Sequence, residues 1–158
     1  MACGGADSPN EFFATTEEYN GTSWGSGGNI PTALGSGGSL GTLTAGFGAG
    51  AYRFSPAARI SDSYEYDGSS WTSGGDLSTQ RINSMGFGTQ TAAFAVAGFG
   101  SSTLQATVES WDGSSWTETT DINTARRKLS SAGVTTSGIV YGGQPDSGGG
   151  QAQSESWN

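Results

Sequence analysis

Histidine is absent from this sequence, and cysteine occurs once, at Cys3. Without histidine the chain lacks the commonest general base, every Ser-His-Asp or Cys-His arrangement and the usual ligand of zinc sites. A single cysteine cannot form an internal disulfide, and we expect Cys3 to be a small buried strand residue. The sequence therefore predicts no catalytic residue, no bound metal and no cofactor.

Basic residues are also scarce, because six Lys and Arg stand against 14 Asp and Glu and give a formal net charge of −8. Most of such a surface would repel a phosphate backbone, so nucleic acid is not an expected partner. No stretch approaches the roughly 18 apolar residues of a membrane span, and no charged segment followed by an apolar one opens the chain. We expect neither membrane insertion nor a cleavable signal peptide.

Glycine is abundant, at 28 positions, and serine and threonine are also frequent. Such a composition can indicate disorder, but disordered chains are usually poor in aromatic residues. This chain has five Trp, five Tyr and seven Phe, several of them at fixed intervals. Long apolar runs with helical periodicity are missing, which argues against an α-helical protein. An ordered β protein explains the composition better.

The aromatic residues mark an internal repeat. The segment EYNGTSW at 18–24 recurs as EYDGSSW at 65–71 and as SWDGSSW at 110–116, and begins again as SWN at 156–158. The first aromatic residues of these segments, Tyr19, Tyr66, Trp111 and Trp157, are 47, 45 and 46 residues apart. A fixed period of this length is typical of β-propellers and solenoids.

Each repeat predicts four short antiparallel strands. In the middle copy the first strand lies near 85–89, the second is the apolar run 92–98, the third lies at 107–111 and the fourth begins at Trp116. Further copies of the first strand are expected near 40–44 and 132–136. Asn-Gly and Asp-Gly pairs join the third and fourth strands as tight hairpins, because glycine adopts positive φ without a steric penalty.

These features resemble the kelch repeat. The marks of that family are a Gly-Gly pair ending an apolar strand, an aromatic residue, a later Trp and then an Arg. They correspond here to Gly142-Gly143, to Tyr66 with Trp71, to Trp111 with Trp116, and to Arg81 and Arg126. The aromatic-to-Trp spacing of five residues is one shorter than usual, and the first copy has Leu34 in place of the Arg and Gly50-Ala51 in place of Gly-Gly.

The resemblance covers essentially the whole chain and implies an all-β fold of kelch-like β-propeller blades, each a four-stranded antiparallel sheet. The cadence of residues 65–81 is also similar to kelch-like proteins of marine bacteriophages, which implies a virion or extracellular location. A β-solenoid shares the glycine content, but its repeat is usually shorter. Kelch-family copper oxidases need histidine ligands, which this sequence cannot supply.

We expect one repeat domain over 1–158, with modules at about 5–50, 51–97 and 98–143 and a partial module at 144–158. That amounts to about three blades, whereas propellers usually close with about four to eight. We therefore expect the ring to be completed by missing sequence or by oligomerisation. In the second case the C-terminal strands of one chain would pair with the N-terminal strands of the next, most simply in a homodimer with six blades.

The loops between second and third strands, at 6–15, 53–62, 99–105 and 144–153, diverge most between copies. In an up-and-down blade they lie at the same end as the loops between a fourth strand and the next first strand, and we call this the loop end. Variable loops on a rigid scaffold suit recognition. Our candidate ligand-binding residues lie there: Arg53, Arg59, Asp76, Arg81, Asp121, Arg126 and Arg127. As an alternative, Arg81 and Arg126 tie loops to neighbouring blades through carboxylates and carbonyls.

Other polar and aromatic residues have simpler interpretations. Glu17, Glu109 and Glu155 recur at one position of the repeat, which favours a structural role over a catalytic carboxylate pair. A calcium site built from Asp76 and Asp121 is an alternative to local backbone capping. The recurring Trp24, Trp71 and Trp116 are expected to pack between blades rather than to bind sugars.

Three functions from different classes follow. The first is a non-enzymatic binding module whose loop end recognises a glycan or protein of a host surface, as in a phage tail fibre or another virion component. The second is a purely structural, self-assembling repeat unit. The third is a glycan lyase or hydrolase, for which the sequence offers no catalytic constellation.

Overall fold

The computed structural model describes residues 1–8, 11–146 and 148–158. Within these ranges the chain is all-β and has no helix, and hence none that could span a membrane. The predicted loops at 6–15 and 144–153 include positions 9, 10 and 147, which lie outside the described residues. The strands are β1 (Ala2–Cys3), β2 (Ala6–Ser8), β3 (Glu11–Phe12), β4 (Thr16–Tyr19), β5 (Trp24–Ser26), β6 (Leu34–Gly35), β7 (Gly38–Thr42), β8 (Ala45–Arg53), β9 (Ala58–Tyr66), β10 (Trp71–Ser73), β11 (Met85–Thr89), β12 (Ala92–Phe99), β13 (Leu104–Trp111), β14 (Trp116–Glu118), β15 (Ser130–Val134), β16 (Ser137–Tyr141) and β17 (Ser154–Trp157).

Four antiparallel sheets follow one another along the described chain, and a fifth is the two-stranded β2-β3 hairpin. The first sheet has the order β1-β4-β5, the second β10-β9-β8 with β6 and β7 both on β8, the third β11-β12-β13-β14 and the fourth β15-β16-β17. The strands predicted in the middle copy are confirmed, since β11 to β14 form the complete third sheet. The short strands β2, β3 and β6 were not predicted; β2 and β3 pair as a hairpin inside the first variable loop.

The hairpins between third and fourth strands are closed by the residue that precedes glycine. Asp67 Oδ1 accepts hydrogen bonds from the backbone N–H groups of Ser69 and Ser70, both at 2.8 Å. Asp112 does the same with Ser114 and Ser115, also at 2.8 Å. These hydrogen bonds lower the pKa of both exposed carboxyl groups to about 2. The predicted role of these residues in turns is confirmed.

The described residues form three hydrophobic core clusters, each at the place where two consecutive sheets meet. Ile30, Leu34 and Trp71 belong to the cluster between the first and second sheets. Phe47 of the second sheet packs against Trp111 and Trp116 of the third, at ring-centroid distances of 5.3 and 5.6 Å. The third and fourth sheets share the third cluster, where Phe94 and Trp157 lie 4.7 Å apart.

The recurring tryptophans pack between sheets only where a preceding sheet is present. Trp71 is buried and donates from Nε1 to Thr16 Oγ1 of the first sheet at 2.8 Å. Trp116 is partly buried against Phe47 of the second sheet. Trp24 belongs to the first sheet and is 56% exposed, because the described chain places no sheet in front of it.

The second strands end in a left-handed bend. Gly4-Gly5 has φ values of 65° and 109°, Ala97-Gly98 of 59° and 108°, and Gly142-Gly143 of 67° and 99°. At Gly98 the N–H donates to Arg126 O at 2.9 Å, and an added Cβ would lie 2.8 Å from Ile82 O. The glycine at this position is therefore required both by its φ and by the close approach of the loops that precede the third and fourth sheets.

Candidate functional site

Arg81 lies in the loop between the second and third sheets, and its side chain has no exposed surface. Its guanidinium forms an ion pair with Glu109 of β13. It also donates from Nη1 to the carbonyl oxygens of Ala97 at 3.4 Å and Thr107 at 3.1 Å, and from Nε to Thr79 O at 3.3 Å. Burial lowers the pKa of Arg81, and the charge of Glu109 opposes that shift.

Glu109 receives a second donor from the same loop, since Ser78 N–H lies 2.7 Å from its Oε2. The next loop repeats this arrangement. Glu155 of β17 accepts from Arg126 Nη2 at 2.8 Å and from Asn123 N–H at 2.7 Å. In both cases one glutamate binds an arginine and also the backbone N–H of the residue three positions before that arginine. We call this arrangement the Arg–Glu clamp.

The loop between the first and second sheets has no such clamp, and all three components change together. Leu34 stands at the position of the arginine, Pro31 supplies no N–H three residues earlier, and Tyr64 stands at the position of the glutamate. Leu34 and Tyr64 share one buried cluster. An apolar contact thus replaces the clamp as a unit, which leaves neither a buried charge nor a buried N–H without a partner.

Two of the predicted ligand-binding residues, Arg81 and Arg126, are therefore committed to partners inside the chain. Both side chains have zero exposure, and both attach a loop to the following sheet. This geometry matches the alternative interpretation, in which these arginines tie loops to neighbouring sheets. It leaves a ligand no access to their guanidinium groups.

Arg59 and Arg127 come together at the loop end although they are 68 positions apart in the chain. Each guanidinium lies over the ring of Phe99, Arg59 Cζ at 4.8 Å and Arg127 Cζ at 5.2 Å from the ring centroid. Arg59 Nη1 also donates to Ser101 O at 3.0 Å. We call these three residues the Arg59–Phe99–Arg127 cluster.

The cluster carries two positive charges without a carboxylate partner. The ion pairs among the described residues are those of Arg81 and Arg126, so neither Arg59 nor Arg127 has an acidic group within 4.0 Å there. The Nε atoms of Arg59 and Arg127 are buried without a hydrogen-bond acceptor. In a chain of net charge −8 this is a local excess of positive charge.

The remaining predicted residues are dispersed. Arg53 ends β8 and lines a separate cavity of about 240 Å³ with Phe12 and Phe54. Asp76 and Asp121 are exposed in the loops that precede the third and fourth sheets. Within 1–8, 11–146 and 148–158, no three His, Cys, Asp or Glu side chains are grouped as a metal site would need.

A cavity of about 470 Å³ lies between the third and fourth sheets. Asp121, Glu155 and Trp157 contribute to its wall, and no arginine does. Its carboxylates make it unsuited to an acidic group. It is therefore distinct in charge from the Arg59–Phe99–Arg127 cluster.

Phe99 was not among the residues predicted from sequence. It directly follows Gly98, at the position that Tyr52 and Gln144 occupy in the neighbouring copies. The signal available in the sequence was an aromatic residue at the start of a variable loop, in a repeat whose two neighbouring copies carry arginines near the same end. Because aromatic residues recur throughout this chain and most were expected in the core, the sequence did not distinguish Phe99 from a core residue.

Comparison with known proteins adds no relative. No protein-family model matches the chain, and no curated protein matches its sequence. The geometry of the described residues therefore carries the functional argument.

Proposed function

We propose that this chain is a kelch-like β-propeller segment that acts as a non-enzymatic binding module and recognises an acidic group on a host-surface glycan through its loop end. The propeller interpretation is supported by antiparallel sheets in chain order, each packed on the next. It is further supported by the left-handed glycine pairs and the repeated Arg–Glu clamp. The location on a virion, as part of a tail fibre, rests on the bacteriophage resemblance.

The observation that carries the proposal is the Arg59–Phe99–Arg127 cluster. Arginine presents a planar fork of donors that matches a carboxylate or sulfate, and stacking on an aromatic ring orients that fork. The two fully buried arginines, Arg81 and Arg126, have carboxylate partners. Arg59 and Arg127 have none among the described residues and both are partly exposed, so their positive charges are open to a ligand.

The net negative charge of the chain means that an acidic ligand must be held by short-range contacts rather than by long-range electrostatic attraction. A chain of net charge −8 repels an acidic polymer at a distance, so binding must rest on short-range, charge-assisted hydrogen bonds at this cluster. Such a module discriminates by the geometry of the acidic group. Neutral glycans of the same length are expected to bind far more weakly.

A glycan array with uronic, sulfated and neutral oligosaccharides tests the proposal. We expect binding to an acidic subset, and Arg59→Ala and Arg127→Ala each weaken it about tenfold or more, as the loss of a charge-assisted hydrogen bond implies. Lys128→Gln is the matched control, because it removes one exposed positive charge next to Arg127 and leaves the cluster intact.

Two outcomes would contradict the proposal. One is the absence of binding to any acidic oligosaccharide by the folded chain. The other is an equal loss of binding in the Lys128→Gln control, because general charge rather than the cluster would then determine affinity.

A further inference from the structure

The outer faces of the first and fourth sheets present large apolar side chains to solvent. On the first sheet Tyr19 is 47% and Trp24 is 56% exposed. On the fourth sheet Ile139 is 40% and Tyr141 is 47% exposed. Ile139 and Tyr141 are two apart in β16 and therefore share one face of that sheet.

The exposed face of the fourth sheet is equivalent to faces that are buried elsewhere in this chain. Strand pairing aligns Ile139 with Ser156, one residue before Trp157, and aligns Phe94 with Ser110, one residue before Trp111. Phe47 occupies the same register in the second sheet. Both phenylalanines insert against aromatic residues of the following sheet, so Ile139 occupies the position of an inserting residue that meets no following sheet in the described chain.

The first sheet presents the receiving half of the same contact. The rings of Tyr19 and Trp24 pack against each other in a tilted arrangement with centroids 5.3 Å apart, as those of Tyr66 and Trp71 do at 4.9 Å. The second pair is buried against the preceding sheet, whereas Tyr19 and Trp24 meet no preceding sheet in the described chain. Tyr19 and Trp24 therefore already have the arrangement of the buried pair in the single chain.

We propose that the fourth sheet of one copy docks on the first sheet of a second copy, with Ile139 and Tyr141 packed against Tyr19 and Trp24. The occupant is a second copy because this chain already contains the two complementary halves and joins their equivalents three times internally. Such a contact is head-to-tail, and it forms a closed ring when the rotation per copy permits. In a closed two-copy ring both exposed faces of each chain are buried.

The contact between copies lacks the polar part of the internal contacts. The clamp donors come from the loop that precedes each sheet, and the described chain has no such loop before the first sheet, so the exposed Glu17, at the position of Glu109, has no clamp donor there. The fourth sheet also has three strands rather than four. We therefore expect an association that depends on chain concentration and is weaker than the internal packing.

Sedimentation velocity over a range of micromolar concentrations tests the inference. The unmodified chain should shift from monomer to dimer or larger ring as concentration rises. Ile139→Asp and Trp24→Asp should each abolish association, because every contact needs both residues. Both side chains are partly exposed in the single chain, so both variants should fold; their melting temperatures are compared with that of the unmodified chain at concentrations where it is monomeric, because association itself stabilises the fold.

Mixing the two variants separates this geometry from other kinds of association. The Trp24→Asp copy keeps an intact fourth sheet, and the Ile139→Asp copy keeps an intact first sheet. Their mixture should form a one-to-one dimer and nothing larger. Phe54→Asp, which changes an exposed aromatic residue outside both faces, should associate like the unmodified chain.

A monomer at all concentrations, association of either variant alone, or failure of the mixture while the unmodified chain associates would overturn the inference. Ligand binding at the Arg59–Phe99–Arg127 cluster does not depend on it. Loss of association with intact glycan binding therefore refutes only the docking, and the reverse result refutes only the proposed function.

Discussion

Arg81 and Glu109 form an ion pair in which neither side chain has any exposed surface. Removing water from two charges is costly, and the pair persists because Glu109 also binds Ser78 N–H while Arg81 binds backbone carbonyl oxygens. The loop before the second sheet solves the same packing problem with Leu34 and Tyr64. The chain thus contains a charged and an apolar version of one contact.

Replacing one member of the clamp should be far more harmful than replacing both. We expect Arg81→Leu to lower the free energy of unfolding by about 3–5 kcal/mol, because Glu109 is left buried and uncompensated. The double variant Arg81→Leu/Glu109→Tyr copies two of the three components of the apolar version and should recover part of that loss, because Ser78 N–H is left without its acceptor. Urea unfolding of both single variants and the double variant measures the coupling. A double variant no more stable than the singles would refute the equivalence of the two versions.

The second clamp should be more tolerant than the first. Glu155 is 17% exposed, and Arg126 has two buried nitrogens, Nε and Nη1, without acceptors. We expect Arg126→Leu to cost about 1–3 kcal/mol, since water can partly solvate the remaining carboxylate. The same unfolding measurement compares it with Arg81→Leu. An equal or larger cost at Arg126 would show that carboxylate exposure does not govern the effect.

Gly98 should be intolerant of a side chain and should affect the ligand site. Its φ is 108°, and an added Cβ would lie 2.8 Å from Ile82 O and 3.1 Å from the Cβ of Ser84. We expect Gly98→Ala to destabilise the fold by about 2 kcal/mol or more and to weaken glycan binding, because Phe99 is displaced. Gly149→Ala is the control, since Gly149 has φ 83° with no atom within 4 Å of an added Cβ. Equal effects of the two substitutions would refute the crowding argument.

The hairpin aspartates predict a specific acid response. The pKa values of Asp67 and Asp112 are lowered to about 2 in the folded chain from an ordinary value of 3.8. The stabilisation from these turns is therefore complete above pH 4 and is lost as pH falls from about 4 to about 2. Asn20 makes the equivalent hydrogen bonds without a titratable group.

The double variant Asp67→Asn/Asp112→Asn should lose less stability than the unmodified chain over that pH interval. Carbon-detected NMR titration of the two carboxyl groups measures their pKa values directly. Values near 3.8 would show that the turn hydrogen bonds do not hold in solution.

The sequence was sufficient for the parts of the fold that repeat. The regular spacing of Tyr66, Trp111 and Trp157 located the strands, because each sheet has the same residue types at the same positions of the repeat. Hairpin closure by Asp67 and Asp112 followed from local chemistry alone. The hairpin of β2 and β3 could not be found this way, because it occurs in one variable loop and depends on the packing of Phe12 against Tyr52 and Phe54.

The candidate site was harder to predict, because charge and position in the repeat do not reveal burial. Arg81 and Arg59 are the same residue type near the same end of the sheets, yet one is paired inside the protein and the other stacks on Phe99. One sequence signal did separate them. Where Leu34 replaces the clamp arginine, Tyr64 replaces the matching glutamate, which marks Arg81 and Arg126 as members of an internal pair.

NMR titration with an acidic oligosaccharide, and in parallel with its neutral counterpart of equal length, is the decisive measurement for acidic-glycan recognition. With the acidic ligand alone we expect saturable shifts of the guanidinium signals of Arg59 and Arg127 and of the Phe99 ring signals, while the signals of the buried Arg81 and Arg126 stay in place. No shift at the cluster, or the same shifts with the neutral ligand, would contradict it.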